Sequence, residues 1–164
     1  MTDLEARVQR LEDIAAIQQL KLAYADCISS GLSGGAEFPR ERFKNLFLPD
    51  AIWEANHYGQ IEGNDAIADF YAKVGPKVSF VLQYQIGHTV EVAPSGTEAT
   101  GQCYVWEPSS MGGRAIFSAG TYEERYRKVS GQWLFERVSV YIHFMTPYED
   151  GWVKKPWMTR ADFQ

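Results

Sequence analysis

The sequence contains little cysteine, little histidine and no cluster of basic residues. Its two cysteines, Cys27 and Cys103, are too few for a disulfide framework. The three histidines lack the paired spacing of a metal-binding helix. Because 16 Lys and Arg face 21 Asp and Glu, the net charge is −5, and no basic face for nucleic acid is expected. We therefore expect no disulfide scaffold, no metal site and no nucleic-acid partner.

Long apolar runs and targeting patterns are also absent from the sequence. No segment approaches the roughly 20 apolar residues that span a bilayer. Residues 1–13 are polar and charged, unlike a signal peptide. The chain has no nucleophile elbow and no phosphate-binding or dinucleotide-binding glycine pattern. These absences predict a cytoplasmic protein without membrane association and without a nicotinamide, flavin or other cofactor.

Aromatic residues, in contrast, are abundant, at 14% of the 164 residues. This share is more than a small core needs, and ligand pockets are built largely from apolar and aromatic walls. The length is that of one domain. We therefore expect a single domain over residues 1–164 that binds a small molecule in a pocket.

The hydrophobic pattern changes from helical to strand-like along the chain. Helices are predicted over Leu4–Ser30, Phe38–Phe47 and from Asn64 to Val74, with Thr2 and Glu5 forming a capping box before the first. Six strands are predicted: Ala51–Asn56, Gln60–Glu62, Ser79–Ala93, Glu98–Trp106, Ala115–Val129 and Trp133–Met145. This order predicts an α+β fold in which about three N-terminal helices cover a strongly curved antiparallel sheet.

The two ends of the chain carry additional segments. Residues 1–10 are interpreted as a helical extension. Residues 146–164 form a tail whose Tyr148, Trp152 and Trp157 make it too aromatic for simple disorder. We expect this tail either to cover the mouth of the pocket or to pack against a second subunit.

Several strings, taken in order, resemble the SnoaL-like branch of the nuclear-transport-factor-2-like superfamily over about residues 11–152. They are Leu11–Leu20, Leu46–Ala51, Gly87–Val92, Ala99–Gly101, Tyr122–Trp133 and Thr146–Trp152. The resemblance implies that the curved sheet forms an open cone. It also implies cofactor-free lyase chemistry, since the most similar branches are scytalone dehydratase and the bile-acid 7α-dehydratases.

His88, Tyr24 and Glu107 are the candidate catalytic residues. Tyr84, Ile86 and His88 are every second residue of one predicted strand, so the three should share a face, which we expect to look into the cone. A histidine there could act as a general base. The resemblance matches His88 to a Gly-His-Thr string of the dehydratases, Tyr24 to a tyrosine of the first helix, and Glu107 to an acidic strand residue. A structural histidine, a core tyrosine and a solvated carboxylate are the alternatives.

Seven further side chains are candidates for binding the substrate. They are Tyr84, Ser29, Trp53, Tyr104, Phe117, Tyr141 and His143. Ser29 stands where many catalytic relatives carry an Asp, and Asp26 on the same helix points away from Tyr24. The resemblance therefore does not imply a simple His–Asp dyad in this chain.

The sequence favours a cofactor-independent acid–base lyase, dehydratase-like, acting on a small hydroxylated cyclic or aromatic compound. A retro-aldol carbon–carbon lyase or a double-bond isomerase would use the same proton transfers. Ser29 favours the third alternative, a non-catalytic module for small-molecule binding or assembly. We also expect a homodimer or homotrimer, because Trp106, Trp133 and Tyr126 could lie on an outer sheet face that forms an interface.

Overall fold

Two helices open the chain, and a third separates a short strand pair from the long strands, as the change in hydrophobic period predicts. The structure is a computed structural model, and it describes residues 2–33 and 36–159. Its helices are α1 (Asp3–Gly31), α2 (Arg40–Lys44), α3 (Asn64–Val74) and α4 (Gly151–Lys154). Its strands are β1 (Phe47–Ala55), β2 (Gly59–Glu62), β3 (Val78–Val81), β4 (Tyr84–Val92), β5 (Glu98–Met111), β6 (Arg114–Val129) and β7 (Gln132–Pro147). The α+β class is confirmed.

Helix α1 begins at the capping box that the sequence predicts. Thr2 Oγ1 accepts a hydrogen bond from the Glu5 N–H, and the Glu5 carboxylate accepts one from the Thr2 N–H. The predicted apolar stripe of α1 is buried only from Asp13 onward. Leu4 and Leu11, which precede it, are each about two-thirds exposed. Within the described ranges, no helix combines the length and the apolar character needed to cross a membrane.

Seven strands form one curled sheet in the order β2-β1-β7-β6-β5-β3. Strand β4 also pairs with β5, beyond the segment that β3 occupies. The antiparallel pairing of β5, β6 and β7 confirms the predicted meander. Strand β1 instead joins β7 in parallel and begins at Phe47, inside the predicted second helix. The N-terminal helices pack against this half-barrel, which is the predicted cone.

The predicted strand Ser79–Ala93 is interrupted at Leu82 and Gln83. The Pro108 carbonyl of β5 accepts a hydrogen bond from the Leu82 N–H at 3.0 Å. In an antiparallel ladder, residue 108 would also donate its backbone N–H to Leu82. Proline has no backbone N–H, so the ladder does not continue there. The Gln83 N–H instead donates to Ser29 Oγ at 3.0 Å. Strand β5 runs through Pro108 to Met111, so the predicted end of this strand at Trp106 is wrong.

A β-bulge at Gly87 changes which side chains of β4 face the cone. Strand β4 has one extra residue relative to β5 between Ile86 and Thr89. Gly87 lies there with φ of 66°, a conformation that glycine adopts easily. Tyr84 and Ile86 consequently face solvent, each 52% exposed, whereas the His88 side chain is 11% exposed. The predicted common face of Tyr84, Ile86 and His88 is therefore wrong.

Beneath α1 lies a buried polar group that we call the Lys21 cluster: Lys21, Glu124, Tyr126 and His88. Lys21 Nζ is 2.5 Å from Glu124 Oε1, and these two side chains are 1% and 0% exposed. The Tyr126 hydroxyl donates to Glu124 Oε2 at 2.5 Å and lies 3.2 Å from His88 Nε2. Burial raises the pKa of Glu124, but Lys21, His88 and Tyr126 outweigh it and lower this pKa to about 2.

The C-terminal tail packs against its own chain as far as residue 159, and residues 160–164 lie outside the described residues. Pro156 accepts a hydrogen bond from the Met145 N–H at 3.1 Å. The Trp157 ring stacks on His57 at 3.8 Å, and Met158 is 4% exposed in a cluster with Met145. A role of the tail as a lid or an interface stays a prediction.

Two of the aromatic residues expected at an oligomer interface belong to the core instead. Tyr126 is 0% exposed and Trp133 is 6% exposed. The Trp133 indole N–H donates to the Asp13 carboxylate at 2.9 Å, which ties α1 to β7. Trp106 is partly buried and stacks on Phe117. Formation of a homodimer or homotrimer stays a prediction.

We expect Lys21→Met to lower the free energy of unfolding by about 3–5 kcal/mol, because it leaves the Glu124 carboxylate buried without its cation. Exposed Arg42 pairs with Asp26, and Arg42→Met should cost under about 1 kcal/mol. Urea denaturation of both variants measures the difference.

The double variant Lys21→Met with Glu124→Met should recover most of the loss, because replacing both members of a buried ion pair by apolar residues is often neutral. Equal effects of Lys21→Met and Arg42→Met would contradict the importance of the buried pair.

Candidate functional site

An apolar pocket of about 140 Å³ lies between the helices and the concave face of the sheet. Much of its wall is apolar or aromatic, including Ile28, Trp53, Phe70, Val105, Ile142 and Met145. Polar side chains enter it from β5, β6 and the break before β4: Gln83, Glu107, Ser109, Ser118 and Tyr122. Apolar walls with a few polar groups are typical of a site for a small molecule.

Glu107 is the carboxylate of this pocket. It lies on the inward face of β5 with Cys103 and Val105. Its Oε2 accepts a hydrogen bond from Gln83 Nε2 at 2.9 Å, and Ser118 Oγ lies 3.5 Å from its Oε1. Burial raises the pKa of Glu107 and outweighs the opposite effect of Gln83 and Ser118. A carboxyl group with a raised pKa is suited to exchanging protons near neutral pH.

A directed chain of hydrogen bonds orients Gln83 toward Glu107. Gln83 Oε1 accepts from Gln85 Nε2 at 2.8 Å, and Gln85 Oε1 accepts from the Cys103 thiol at 3.0 Å. Burial raises the pKa of Cys103 to about 11, so the thiol keeps its proton as a donor. Gln83 Nε2 is thereby turned to Glu107 and to the Tyr122 hydroxyl, which it reaches at 3.1 Å.

Neither glutamine of this hydrogen-bond chain was expected from the sequence. Simple alternation along β4 places Gln83 and Gln85 on the face opposite His88, and only the bulge at Gly87 brings Gln85 and His88 to the same side. A glycine inside a strand pattern can indicate a bulge, and it was the available signal. Tyr122 and Ser118 were not expected in the pocket either. They share the face of β6 that carries buried Ile116, and this spacing indicates their inward direction.

Tyr24 lies behind the pocket rather than on it. Its side chain is 0% exposed, its hydroxyl is 2.8 Å from the Tyr71 hydroxyl, and it accepts from Trp53 Nε1 at 3.2 Å. Burial raises the pKa of Tyr24 well above its ordinary value. The Tyr24 ring also packs edge-on against the Tyr122 ring, with centroids 6.0 Å apart. Of these two phenols, Tyr122 is the one that lines the pocket.

His88 belongs to the Lys21 cluster and is not among the described residues that line the pocket. Its Nε2 lies 3.6 Å from Glu124 Oε2 and close to Gly101, where an added Cβ would come within 3.0 Å of it. The structure therefore does not bring His88 together with Glu107. Its predicted role as a catalytic base has no support from this geometry.

Of the predicted substrate-binding residues, Trp53 lines the pocket and Ser29 holds the Gln83 backbone beside it. The placement of the other five inside the cone is wrong because strand alternation turns them outward: Tyr84, Tyr104, Phe117, Tyr141 and His143. Tyr104, for example, alternates with inward Val105 and is 61% exposed. In the described part of the chain, no group of three or more His, Cys, Asp or Glu side chains is placed to hold a metal ion.

Comparisons with known proteins agree with this architecture. The SnoaL-like domain family matches residues 9–139. The crystal structure of LinA is 21% identical, covers 87% of this chain and 93% of its own, and has a TM-score of 0.77. A LinA-type3 hexachlorocyclohexane dehydrochlorinase from Novosphingobium barchaimii LL02 is 22% identical, with 86% and 93% covered and a TM-score of 0.75.

A third solved structure is a protein from Novosphingobium aromaticivorans provisionally named scytalone dehydratase. It is 19% identical, covers 87% of this chain and 91% of its own, and has a TM-score of 0.76. At identities this low, the likeness to these structures is one of fold.

We expect Glu107→Gln to raise the melting temperature at mildly alkaline pH and to change it little at acidic pH. Because the folded-state pKa of Glu107 is raised, the stability that its neutral form contributes is present at low pH and is lost as pH rises through that pKa. The amide stays neutral throughout. The gain should be a few degrees, since about 1 kcal/mol corresponds to about 2–4 °C at this size. Calorimetry across the pH range tests this, and a gain that is independent of pH would contradict it.

We expect Gln85→Leu to raise the pKa of Glu107 further, because Gln83 then loses the donor that turns its amide N–H groups toward the carboxylate. Infrared titration of the carboxyl band, identified by its loss in Glu107→Gln, measures this shift. Exposed Gln102 on β5 provides the matched control, Gln102→Leu. An unchanged titration midpoint in Gln85→Leu would show that the chain does not tune Glu107.

Proposed function

This chain belongs to the SnoaL-like domain family, and we propose that it is a cofactor-independent, dehydratase-like acid–base lyase. Its substrate is a small hydroxylated cyclic or aromatic compound. The observation that carries the proposal is the Glu107 carboxyl group, which lines an apolar pocket. The pKa of this carboxyl group is raised, and none of its hydrogen-bond partners is a cation. The relatives named dehydrochlorinase and scytalone dehydratase support an elimination reaction on such a scaffold.

The proposed reaction needs only one exchangeable proton on the protein. Glu107 as carboxylate removes a proton from the carbon next to a carbonyl or phenol, and the C–H electron pair forms the new double bond. The C–O bond to the substrate hydroxyl breaks. The proton held by Glu107 then passes to the departing oxygen, which leaves as water, and the carboxylate is restored.

The surroundings of Glu107 match both halves of this cycle. Gln83 Nε2 donates to the carboxylate form, so the charged base is not left without a partner. The apolar walls disfavour that charge and raise the pKa of Glu107, which favours the acid half. Tyr122 accepts from Gln83 and also lines the pocket, so its phenolic proton can be donated to an oxygen of the substrate.

We expect purified protein to convert a hydroxylated cyclic ketone in a screening panel into a product lighter by one water, as measured by mass spectrometry. Glu107→Gln should lower turnover by about 10²–10⁴-fold, because it removes the proton-transfer group. Exposed Glu123 on β6 provides the matched control, and Glu123→Gln should retain normal turnover. Normal turnover in Glu107→Gln would overturn the assignment.

The same experiment separates the other reactions and the other candidate base. Release of an aldehyde indicates retro-aldol cleavage, an unchanged mass indicates isomerisation, and no conversion of any compound favours a binding module. His88→Ala distinguishes the two bases. It should leave turnover within about tenfold of normal if Glu107 acts as the base, and should cost on the order of 10²-fold or more if His88 does.

A further inference from the structure

Ser109 carries a buried hydroxyl group that lines the pocket and lacks a partner. The residue is 5% exposed, and among the described residues its Oγ has no hydrogen-bond partner. Its backbone is placed by strand pairing, with Val81 on one side and Ile116 on the other. A buried hydroxyl without a partner destabilises the folded protein, and each such group calls for an explanation.

The other polar side chains that enter the pocket beside Glu107 are satisfied. Gln83 bonds both Glu107 and Tyr122 through its amide nitrogen. Ser118 Oγ donates to the Glu107 carbonyl at 3.3 Å, and the Tyr58 hydroxyl lies 3.8 Å from the Met145 sulfur. The unpaired Ser109 hydroxyl therefore points to a polar group that a ligand would supply.

Glu107 and Ser109 stand two residues apart on the inward face of β5. Two strand residues span about 6.6–6.8 Å, so the two side chains would reach opposite ends of a small ring rather than one and the same atom. The pocket volume of about 140 Å³ is close to the roughly 150 Å³ at which an apolar protein cavity accommodates one benzene.

From these three observations we propose that the ligand of this pocket is a single six-membered ring with oxygen functions on two non-adjacent carbons, as in a β-hydroxy ketone, whose departing hydroxyl stands two carbons from the carbonyl carbon. One oxygen faces Glu107, Gln83 and Tyr122, and the other hydrogen-bonds the Ser109 hydroxyl. This inference rests on the proposed function only in taking the same pocket as the substrate site. It narrows the substrate class from hydroxylated cyclic compounds in general to single-ring compounds with two oxygen functions.

Binding of simple phenols to the wild-type protein tests the proposal without requiring turnover. Hydroquinone, whose two oxygens are on non-adjacent carbons, should bind about 3–10-fold more tightly than phenol, the gain of one neutral hydrogen bond. Catechol, with adjacent oxygens, should bind no more tightly than phenol. The two-ring compound 2-naphthol should bind more weakly than phenol. Calorimetry or ligand-observed NMR gives the dissociation constants.

The variant Ser109→Ala should abolish the preference for hydroquinone and leave the affinity for phenol unchanged. Its melting temperature should equal or exceed that of the wild type, because the lost hydroxyl makes no hydrogen bond within the described protein. The matched control is Ser110→Ala, since Ser110 is the next residue of β5 and does not line the pocket. It should keep the wild-type preference.

Three results would overturn the proposal. The first is that the wild type binds hydroquinone and phenol equally well, or binds neither up to its solubility. The second is that 2-naphthol binds more tightly than phenol. The third is that the Ser109→Ala variant loses its stability and its affinity for both ligands together. If the protein proves to have no lyase activity, the expected binding pattern of the phenols is unaffected. A failed binding pattern with Glu107-dependent turnover would overturn the substrate class and not the reaction.

Discussion

The burial of a lysine–glutamate pair is the constraint on which the rest of this structure depends. Lys21 interrupts the apolar stripe of α1, and an ammonium group inside a protein is tolerated only with a charged partner. Glu124 of β6 supplies it at 2.5 Å, which fixes α1 against the middle of the sheet. Lys21 Nζ also lies 3.4 Å from the centre of the Tyr122 ring. Because the Tyr122 hydroxyl faces the pocket, the interaction that anchors the helix also positions a wall of the site.

Two glutamates of the chain, buried Glu124 and partly buried Glu107, are treated in opposite ways by their surroundings. Glu124 has a cation and two hydrogen-bonding neighbours, which together overcome burial and hold its pKa at about 2. It is therefore ionised near neutral pH. Glu107 has only neutral donors, and burial prevails to raise its pKa. Acidic groups whose surroundings drive their pKa values apart can take different roles in one protein. The division here favours Glu107 for proton transfer and explains why His88, held beside Glu124, serves the Lys21 cluster.

Features set by local chemistry were predictable from the sequence, and features set by a neighbouring strand were not. The Thr2 capping box and the inward face of β5 depend on residues close in sequence. The break at Gln83 depends on Pro108, a residue of another strand, and the direction of His88 depends on how many residues β4 and β5 place at Gly87. A shift of one residue moves every following side chain to the other face. The fold was therefore predictable, whereas most of the site was not.

The two polar groups that the fold leaves least satisfied lie on one strand, two residues apart. Glu107 is a partly buried carboxylate that hydrogen-bonds only neutral donors, and Ser109 is a buried hydroxyl without a partner among the described residues. Elsewhere among the described residues the same sheet pairs its buried charges closely, as Lys21 with Glu124 and Asp13 with Lys128. Departures from good packing chemistry in a natural protein concentrate where function needs them, because stability there is given up for binding or reactivity. Their common position on the pocket wall is a physical reason, independent of any relative, to regard this pocket as the working part of the molecule.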